Sequence, residues 1–320
     1  MAAPLRIVVP GDSPPQIQGS PHLERLAPVG EVVVYPTLPA NLDEQLSRCR
    51  EADIIINSRG AVRWPEAALR GCPRLRMIGT CSIGVDNIDL AIARELGIVV
   101  SNQPGRTAPV VAEHMFGLMF AVAKRAAMQT AQLRRGLWEQ PFNWLLQGKT
   151  VGIVGAGPIG AEMARLCAAI GMRTLAWTLH PSTERGRELG VRFVDLDDLL
   201  READVVSLHV RLSERTRHLI GARELGLMQA GALLLNGARG AIVDTDALAM
   251  ALQSGQLGGA GLDVFETEPL PAEHPLLGCE NVVLTPHCAD QTPEGADLLN
   301  SGVVENVLVF LDDRPRHNVA

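Results

Sequence analysis

The sequence lacks the features that mark several classes of protein. Its 320 residues carry a formal net charge of −7, which predicts no surface for nucleic acid or for an anionic membrane. Its six cysteines form no CxxC pair and no metal-ligand spacing, so we expect reduced thiols in a cytoplasmic protein and no metal site. No internal repeat or low-complexity tract is evident.

Long hydrophobic runs are also missing. The longest apolar segment, residues 108–123, is interrupted by Glu113 and His114, so no membrane-spanning helix is expected. The apolar run before Pro10 is too short for a signal peptide and favours a first β-strand. With 47% hydrophobic and 20% charged residues, the chain should form a globular protein with a substantial core. Its length allows two domains.

The chain is organised around the stretch Lys149–Gly160. The apolar run Val151–Val154 leads into Gly155-Ala-Gly157-Pro-Ile-Gly160, and a helix-compatible segment follows at once. In a strand, turn and helix of this kind, the first glycine permits the tight turn, the second leaves room for a pyrophosphate and the third lets helix and strand pack closely. The free N–H groups at the start of the helix would face the phosphates. The pattern predicts a dinucleotide site, and an ordinary glycine-rich turn is the alternative.

Short apolar runs alternate with helical patterns along the whole chain. Residues 1–102 contain five predicted strands, and residues 150–285 repeat the alternation with six further strands after the glycine turn. Strict alternation of this kind indicates parallel sheets covered by helices on both faces. The predicted fold class is therefore α/β, with two doubly wound parallel-sheet, Rossmann-like domains and a cleft between them.

Two segments have the pattern of long helices. Residues 107–133 form the longest, with Thr107 as a plausible N-cap, and their apolar circumference suggests burial between domains or subunits. Within it we expect Glu113 and His114 to form a packed, hydrogen-bonded pair. The segment Thr292–Leu311 is expected to return to the first domain.

Three predicted strand ends in the second half carry ionisable side chains in loops. These loops are Asn236-Gly-Ala-Arg-Gly240, Asp263-Val-Phe-Glu-Thr-Glu-Pro269 and Thr285-Pro-His287. In a doubly wound sheet all three can point into the crevice that holds the nicotinamide. Hydride transfer to a 2-oxo acid needs a cation that grips the substrate carboxylate and an imidazole that supplies a proton near neutral pH. A carboxylate would hold the tautomer of that imidazole.

Each of these residues has a structural alternative. Arg239 could cap a helix, Glu268 could be a solvated loop acid, and His287 could be a satisfied turn histidine. His209 also ends a predicted strand and is the main rival for the acid/base role, although no carboxylate loop precedes it. The loop of residues 79–87 offers backbone N–H groups to an anion, or is a plain turn.

The sequence resembles the D-isomer-specific 2-hydroxyacid dehydrogenase family over essentially the whole chain. The matching stretches are Gly79…Gly84-Val-Asp-Asn-Ile-Asp89, Val111-Ala-Glu-His114, Gly155-Ala-Gly-Pro-Ile-Gly160, His209…Thr216-Arg-His-Leu-Ile-Gly221, Leu227-Met228, Asn236-Gly-Ala-Arg-Gly240, Ile242-Val-Asp244, Gly261-Leu-Asp-Val-Phe-Glu-Thr-Glu-Pro-Leu270 and Thr285-Pro-His287.

The resemblance implies a set of site residues. Arg239 would be the substrate-binding cation, His287 the acid/base, and Glu268, rather than Glu266, its partner. The backbone of Ser82, Ile83 and Gly84 would help to hold the substrate carboxylate. The implied cofactor-binding residues are Thr107, Gly155, Gly157, Pro158, Ile159, Gly160, Thr178, Ala238 and Asp263, the last at the nicotinamide end.

The resemblance also implies a domain arrangement and an assembly. A flavodoxin-like, substrate-binding domain would comprise residues 1–102 plus 287–320, and a dinucleotide-binding Rossmann domain would comprise residues 103–286. The C-terminal helix should then pack on residues 1–102. Members of the family are usually homodimers, with the helix near residues 107–133 in the contact.

Two departures from the family pattern bear on specificity. The acid that commonly follows the strand after the glycine turn is replaced by Thr178, and no Asp or Glu occurs from Arg173 to Thr183. Its absence removes a repulsion against a 2′-phosphate, which favours NADP slightly over NAD. His180, Ser182, Arg185 and Arg187 are the nearby donors.

The second departure is the segment Cys288-Ala-Asp-Gln291, where the family more often has small residues. Asp290 and Gln291 would add polarity close to His287 and could alter both the substrate and the pKa of that histidine.

The sequence thus predicts an NAD(P)-dependent oxidoreductase that transfers hydride between nicotinamide and a small 2-oxo acid or D-2-hydroxy acid, such as glyoxylate or hydroxypyruvate. Two alternatives remain. One is a nucleotide-sensing scaffold, like the corepressors that share the family's fold. The other is a dehydrogenase of formate, phosphite or phosphoglycerate.

Overall fold

A computed structural model describes residues 4–320. The chain divides into two compact units, one made of the residues up to Thr107 together with Gln291–Ala320 and the other of Ala108–Asp290. The two boundaries lie a few residues beyond those expected from the sequence. Each unit contains one parallel sheet covered by helices, which confirms the predicted fold class.

Within residues 4–320, twelve strands run parallel in the two sheets. They are β1 Leu5–Val9, β2 Gly30–Val34, β3 Ile54–Asn57, β4 Met77–Thr80, β5 Val99–Ser101, β6 Thr150–Val154, β7 Arg173–Trp177, β8 Arg192–Phe193, β9 Val205–Leu208, β10 Ala232–Asn236, β11 Leu257–Leu262 and β12 Val282–Leu284.

Eleven α-helices lie within residues 4–320. They are α1 Leu42–Cys49, α2 Glu66–Arg70, α3 Leu90–Glu95, α4 Ala108–Ala123, α5 Ala126–Arg134, α6 Pro158–Ala169, α7 Thr183–Leu189, α8 Leu196–Glu202, α9 Ala222–Leu227, α10 Thr245–Gln253 and α11 Pro293–Leu311. None of these helices is long and apolar enough to cross a membrane.

The first unit has the strand order β2-β1-β3-β4-β5, the flavodoxin-like arrangement. Helix α11 covers this sheet and packs against β4 and the 3₁₀ helix Pro21–Leu26. It begins where the Thr292 side chain accepts a hydrogen bond from the N–H of Gly295, which satisfies one of the otherwise unpaired donors of the first turn. Its buried stripe, which includes Leu299 and Val303, joins the core of the unit.

The second unit has the strand order β12-β11-β10-β9-β6-β7-β8. This is the order of a complete dinucleotide-binding sheet with one additional edge strand, β12. All five residues of β6, Thr150–Val154, are buried, as expected for a central parallel strand with helices on both faces. The glycine turn leaves this strand at its carboxyl end, next to the point at which the strand order reverses.

The expected long helix over residues 107–133 is wrong, because two helices occupy the segment. Arg125 adopts a left-handed backbone conformation with a φ of 49° and separates α4 from α5. Helix α5 has no buried residue within residues 4–320, so its direction is not fixed by burial in a core. The longest described helix is instead α11, with 19 residues.

Candidate active site

The three loops identified from the sequence follow three neighbouring strands of the second unit. Strand β10 pairs with β11, and β11 pairs with β12, all in parallel. Their carboxyl ends therefore lie at one edge of the sheet, and the loops that bear Arg239, Glu268 and His287 meet there. This convergence is the main geometric feature of the candidate site.

His287 and Glu268 are in direct contact. The Nδ1 atom of His287 lies 2.7 Å from Oε2 of Glu268, and the N–H of Phe265 donates to Oε1 of the same carboxylate at 2.9 Å. Because the carboxylate accepts, Nδ1 carries the proton in the neutral ring. Within residues 4–320 no hydrogen bond reaches Nε2 of His287.

The electrostatics of this pair favour a protonated imidazole beside an ionised carboxylate. The hydrogen bond to Glu268 raises the pKa of His287 and outweighs the opposing effect of burial. Burial would raise the pKa of Glu268, but the hydrogen bonds from His287 and from the N–H of Phe265, together with the charge of Arg239, lower it. The two shifts stabilise the charged form of both groups.

The loop that bears Arg239 is fixed by hydrogen bonds between the Asn236 side chain and the loop backbone. The buried side chain of Asn236 donates to the carbonyl of Arg239 at 2.9 Å and accepts from the N–H of Ala238 at 3.1 Å. A Cβ atom on Gly240 would lie 1.9 Å from the backbone carbon of Phe265, so only glycine lets this loop approach the loop that bears Glu268. The charge of Arg239 is close enough to affect the pKa of both His287 and Glu268.

Asp263 is 1% exposed and is fixed by several donors. Oδ1 accepts from the Thr285 hydroxyl at 2.6 Å and from the N–H of Cys288 at 2.9 Å, and Oδ2 accepts from the N–H of Ala289 at 3.0 Å. Burial would raise the pKa of Asp263, but its hydrogen bonds, including one with His114, lower it. Asp263 is therefore an ionised, buried carboxylate beside the histidine loop.

The expected pairing of Glu113 with His114 is wrong. Nε2 of His114 lies 3.1 Å from the Thr285 hydroxyl and 3.5 Å from Oδ1 of Asp263, whereas Glu113 is exposed. Adjacent residues on a helix point about 100° apart and do not face each other. Nothing in the sequence around His114 identified its contact with a loop about 170 residues away, which depends on how α4 packs.

His209, the rival acid/base, has a different environment. Burial of its ring lowers its pKa to about 4. Its Nε2 atom lies 2.8 Å from the Ser207 hydroxyl, and no carboxylate meets the ring among residues 4–320. The ring is therefore neutral at physiological pH and lacks the partner that His287 has.

The glycine turn has the shape of a phosphate cradle. Gly155 has a φ of 102°, and a Cβ atom on it would lie 2.7 Å from the backbone of His209. A Cβ atom on Gly160 would lie 2.0 Å from the carbonyl oxygen of Gly155, whereas one on Gly157 would meet nothing within 4 Å. The first and third glycines thus serve packing, and open space lies beside the second. Pro158 and Ile159 open α6, whose free N–H groups face that space.

No acid occurs from Arg173 to Thr183, and a cation just beyond this stretch contacts the glycine turn. Thr178 is partly exposed at the strand end. Ser182 caps α7 by accepting from the N–H of Arg185 at 3.1 Å, and the Arg185 guanidinium donates to the carbonyl of Ala156 in the glycine turn. Arg187, two residues further along, is exposed.

The remaining site residues belong to the first unit. The carbonyl groups of Ser82, Ile83 and Gly84 each accept a hydrogen bond within this unit. Their N–H groups find no acceptor within residues 4–320 and stay available to an anion. Thr107 is 1% exposed at the end of the unit.

Gln291, the last residue of the segment 288–291 that departs from the family pattern, also lies in the first unit. The Gln291 side chain accepts a hydrogen bond from Arg59, which sits in a loop beside Ser82 and has a φ of 54°. No sequence pattern singled out Arg59, because its left-handed conformation and its neighbours depend on the folded loop.

The comparisons with known proteins identify the class. The family model for the D-isomer specific 2-hydroxyacid dehydrogenase, NAD binding domain, matches residues 116–289. The chain belongs to this family, which confirms the resemblance seen in the sequence. The matched model also supports a nicotinamide cofactor.

Particular relatives cover most of the chain. A glyoxylate reductase of Aeropyrum pernix is 39% identical over 307 residues, which are 93% of this chain and 91% of the relative. A hydroxypyruvate reductase of Thermotoga maritima is 40% identical over 83% of this chain and 87% of its own.

Solved structures agree with the fold. A glyoxylate reductase from Paecilomyes thermophila has a TM-score of 0.90 and is 28% identical, with 100% of this chain and 99% of that chain covered. An acyclic imino acid reductase in complex with NADPH and D-Arg has a TM-score of 0.89 and is 26% identical, with 99% of this chain and 100% of that chain covered.

Proposed function

We propose that this protein is an NADPH-preferring reductase that converts a small 2-oxo acid, such as glyoxylate or hydroxypyruvate, into a D-2-hydroxy acid. The observation that carries the proposal is the 2.7 Å contact between His287 and Glu268 beside the cation Arg239. Relatives named glyoxylate reductase and hydroxypyruvate reductase support the choice of substrate.

The residues divide the chemistry among them. The bound nicotinamide supplies or accepts the hydride. Arg239 grips the substrate carboxylate and polarises the carbonyl, since a guanidinium offers paired donors and a fixed charge. His287 donates a proton from Nε2 to the developing alkoxide oxygen, and Glu268 keeps the ring oriented through Nδ1. In the reverse direction His287 removes the same proton from the hydroxyl group.

The dinucleotide and the substrate carboxylate are assigned to different sets of residues. We assign the dinucleotide to the second unit, on the glycine turn, with Asp263 at the nicotinamide end, Thr178 at the ribose and Thr107 and Ala238 nearby. For the substrate carboxylate we keep two candidate contacts, Arg239 and the backbone N–H groups of Ser82, Ile83 and Gly84. The unoccupied N–H groups of Ser82, Ile83 and Gly84 support that assignment, because a carboxylate accepts several backbone donors at once.

The test compares two histidine–carboxylate pairs whose carboxylates, Glu266 and Glu268, lie in the same loop. His287→Ala should lower kcat by about 10²–10⁴, the usual contribution of one acid–base group. His218→Ala is the matched control, because Nε2 of His218 lies 3.2 Å from Oε1 of Glu266 but has no role in the proposed chemistry. The turnover of this variant should stay near that of the parent protein. Turnover is followed as oxidation of NADPH with glyoxylate and hydroxypyruvate.

Three outcomes would contradict the proposal. Full activity of His287→Ala would return the acid/base role to His209. Oxidation of formate, phosphite or phosphoglycerate without reduction of any 2-oxo acid would change the substrate. Dinucleotide binding without turnover on any of these would favour a nucleotide-sensing scaffold.

The preference for NADPH rests on the segment after β7. The absence of an acid from Arg173 to Thr183 leaves nothing there to repel a 2′-phosphate, and the Arg185 guanidinium reaches the glycine turn. Arg185→Ala should raise KM for NADPH by roughly tenfold or more and leave KM for NADH little changed, because only NADPH carries the extra phosphate. Arg187→Ala, which removes an exposed cation of the same helix, should change neither value. A lower KM for NADH than for NADPH in the parent protein would refute the preference.

We also propose that the protein is a cytoplasmic homodimer. All six cysteines are free thiols, which suits a reducing compartment and can be checked by cell fractionation. The segment of residues 133–145 supports self-association, because several large apolar side chains on it are exposed. They are Leu133, Leu137, Trp138, Phe142 and Leu145.

A further inference from the structure

Three potential metal ligands lie close together beside the loop that bears His287, although they form no recognisable metal-binding motif in the sequence. They are one ring nitrogen of His114, one carboxylate oxygen of Asp263 and the thiol sulfur of Cys288, and these atoms lie within 4.8 Å of one another. All three residues belong to the second unit. We propose that the His114–Asp263–Cys288 cluster binds one Zn²⁺ ion, and that Zn²⁺ bound there inhibits the enzyme.

The spacing of the first two ligands suits zinc. Nε2 of His114 lies 3.5 Å from Oδ1 of Asp263. A tetrahedral Zn²⁺ with bonds of about 2.0 Å places two such donor atoms roughly 3.3 Å apart. A thiolate selects Zn²⁺ over Mg²⁺ or Ca²⁺, which prefer oxygen ligands alone. The donor set of nitrogen, oxygen and sulfur, with a fourth position left open, is therefore a zinc set.

The surroundings hold the ligands in place. The Asp263 carboxylate is fixed by the N–H groups of Cys288 and Ala289, the kind of supporting contact that orients a ligating carboxylate. The Thr285 hydroxyl donates its single proton to Asp263, so its oxygen accepts from Nε2–H of His114. Zinc would replace that ring proton and the thiol proton of Cys288, and both protons would leave to solvent.

Access to the cluster comes through Cys288. It is partly exposed, whereas the other five cysteines of the described chain are buried. Cys288 also adjoins His287 in the chain, and a metal on Asp263 would occupy the residue assigned to the nicotinamide end. The inhibitory consequence therefore rests on the proposed function, whereas the binding of zinc does not.

The test measures metal binding to the full chain without nucleotide or substrate, so it stays valid even if no turnover is found. Titration with ZnCl₂ against a chromophoric chelator should show one ion per chain. Cys288→Ser should weaken the affinity by at least about tenfold, the scale on which removing a metal contact acts. Cys279→Ser is the matched control, because Cys279 is a buried cysteine of the same unit outside the cluster, and its affinity should equal that of the parent.

Cobalt provides a readout specific for the thiolate. Co²⁺ bound to the parent and to Cys279→Ser should give a thiolate-to-cobalt charge-transfer band in the near ultraviolet, and Cys288→Ser should lose it. His114→Asn serves as the second ligand variant and should also weaken Zn²⁺ binding while the protein unfolds in urea as the parent does. Equal zinc affinity of the parent and Cys288→Ser would overturn the proposal. So would binding that is lost in His287→Ala but kept in Cys288→Ser, since the metal would then sit on the catalytic pair.

Discussion

At the scale of single residues, two histidines of one unit have opposite acid–base properties. A carboxylate on Nδ1 raises the pKa of His287, whereas burial with only a hydroxyl partner lowers the pKa of His209 to about 4. Both residues follow strands of the same sheet. The difference in pKa comes from the neighbours of each ring. It distinguishes His287, a candidate proton donor, from His209, a structural side chain.

The low pKa of His209 predicts a pH dependence of stability. In the unfolded chain the pKa of His209 is about 6.5, whereas in the folded protein it is about 4. Between these two pH values the unfolded state binds a proton that the folded state does not bind. The free energy of unfolding should therefore fall as the pH drops from 6.5 to 4, by at most roughly 3 kcal/mol, and should be unaffected by this group above pH 6.5.

Urea unfolding at pH 8 and pH 5 checks this dependence. His209→Asn, which cannot titrate, should lose less stability between the two values than the parent. His218→Asn, at an exposed histidine, should lose as much as the parent. An identical loss in His209→Asn would show that His209 does not carry the effect.

At the scale of elements, the three glycines of the turn between β6 and α6 have different structural roles. A Cβ atom on Gly160 would lie 2.0 Å from the carbonyl oxygen of Gly155, whereas a Cβ atom on Gly157 would meet no protein atom within 4 Å. One glycine is thus required for packing, and the other leaves space for a ligand. The sequence motif alone presents them as equivalent members of one pattern.

This difference predicts two distinct mutant phenotypes. Gly160→Ala should lower the free energy of unfolding by about 1–3 kcal/mol or more, because the backbone must shift to admit the methyl group. Gly157→Ala should keep the stability within about 0.5 kcal/mol and weaken dinucleotide binding by roughly tenfold or more. Urea unfolding and fluorescence titration with NADPH measure the two effects. Unchanged dinucleotide affinity in Gly157→Ala would mean that the phosphates bind elsewhere.

At the scale of the whole molecule, the exposed apolar segment of residues 133–145 is the strongest sign of assembly. Trp138 is 80% and Phe142 is 97% exposed, and both follow α5, which buries none of its residues in its own unit. Several large exposed apolar side chains in one short segment are unfavourable in water and are typical of a protein–protein contact. A second copy of this chain is the partner that the proposed homodimer requires.

The homodimer can be tested by light scattering coupled to size-exclusion chromatography. The parent should have about twice the mass of the chain, and the double variant Trp138→Glu and Phe142→Glu should have the mass of one chain, because two charges in an apolar contact cost several kcal/mol. Met250→Glu, at an isolated apolar residue that is 70% exposed, is the control and should remain dimeric. A parent protein with the mass of one chain would refute the proposal.

Much of the fold follows from local sequence patterns. The runs Val151–Val154 in β6 and Ala232–Leu235 in β10 are continuous and apolar, and a parallel strand covered on both faces requires no more than that. The break between α4 and α5 had no such signal, because Arg125 is compatible with a helix and its left-handed conformation depends on packing. Periodicity therefore located the elements but overestimated the length of one helix.

The sequence by itself determined the family, the two parallel sheets and the loops that bear Arg239, Glu268 and His287, since these depend on residue types at fixed short spacings. Only the tertiary structure decided which side chains touch: that His287 meets Glu268 while His218 meets Glu266, and that His114 reaches Asp263 and Cys288. The physical reason is that local patterns reflect interactions between near neighbours in the chain. Contacts between residues 19 to 174 positions apart are fixed by the packing of helices and strand ends, which no short segment encodes.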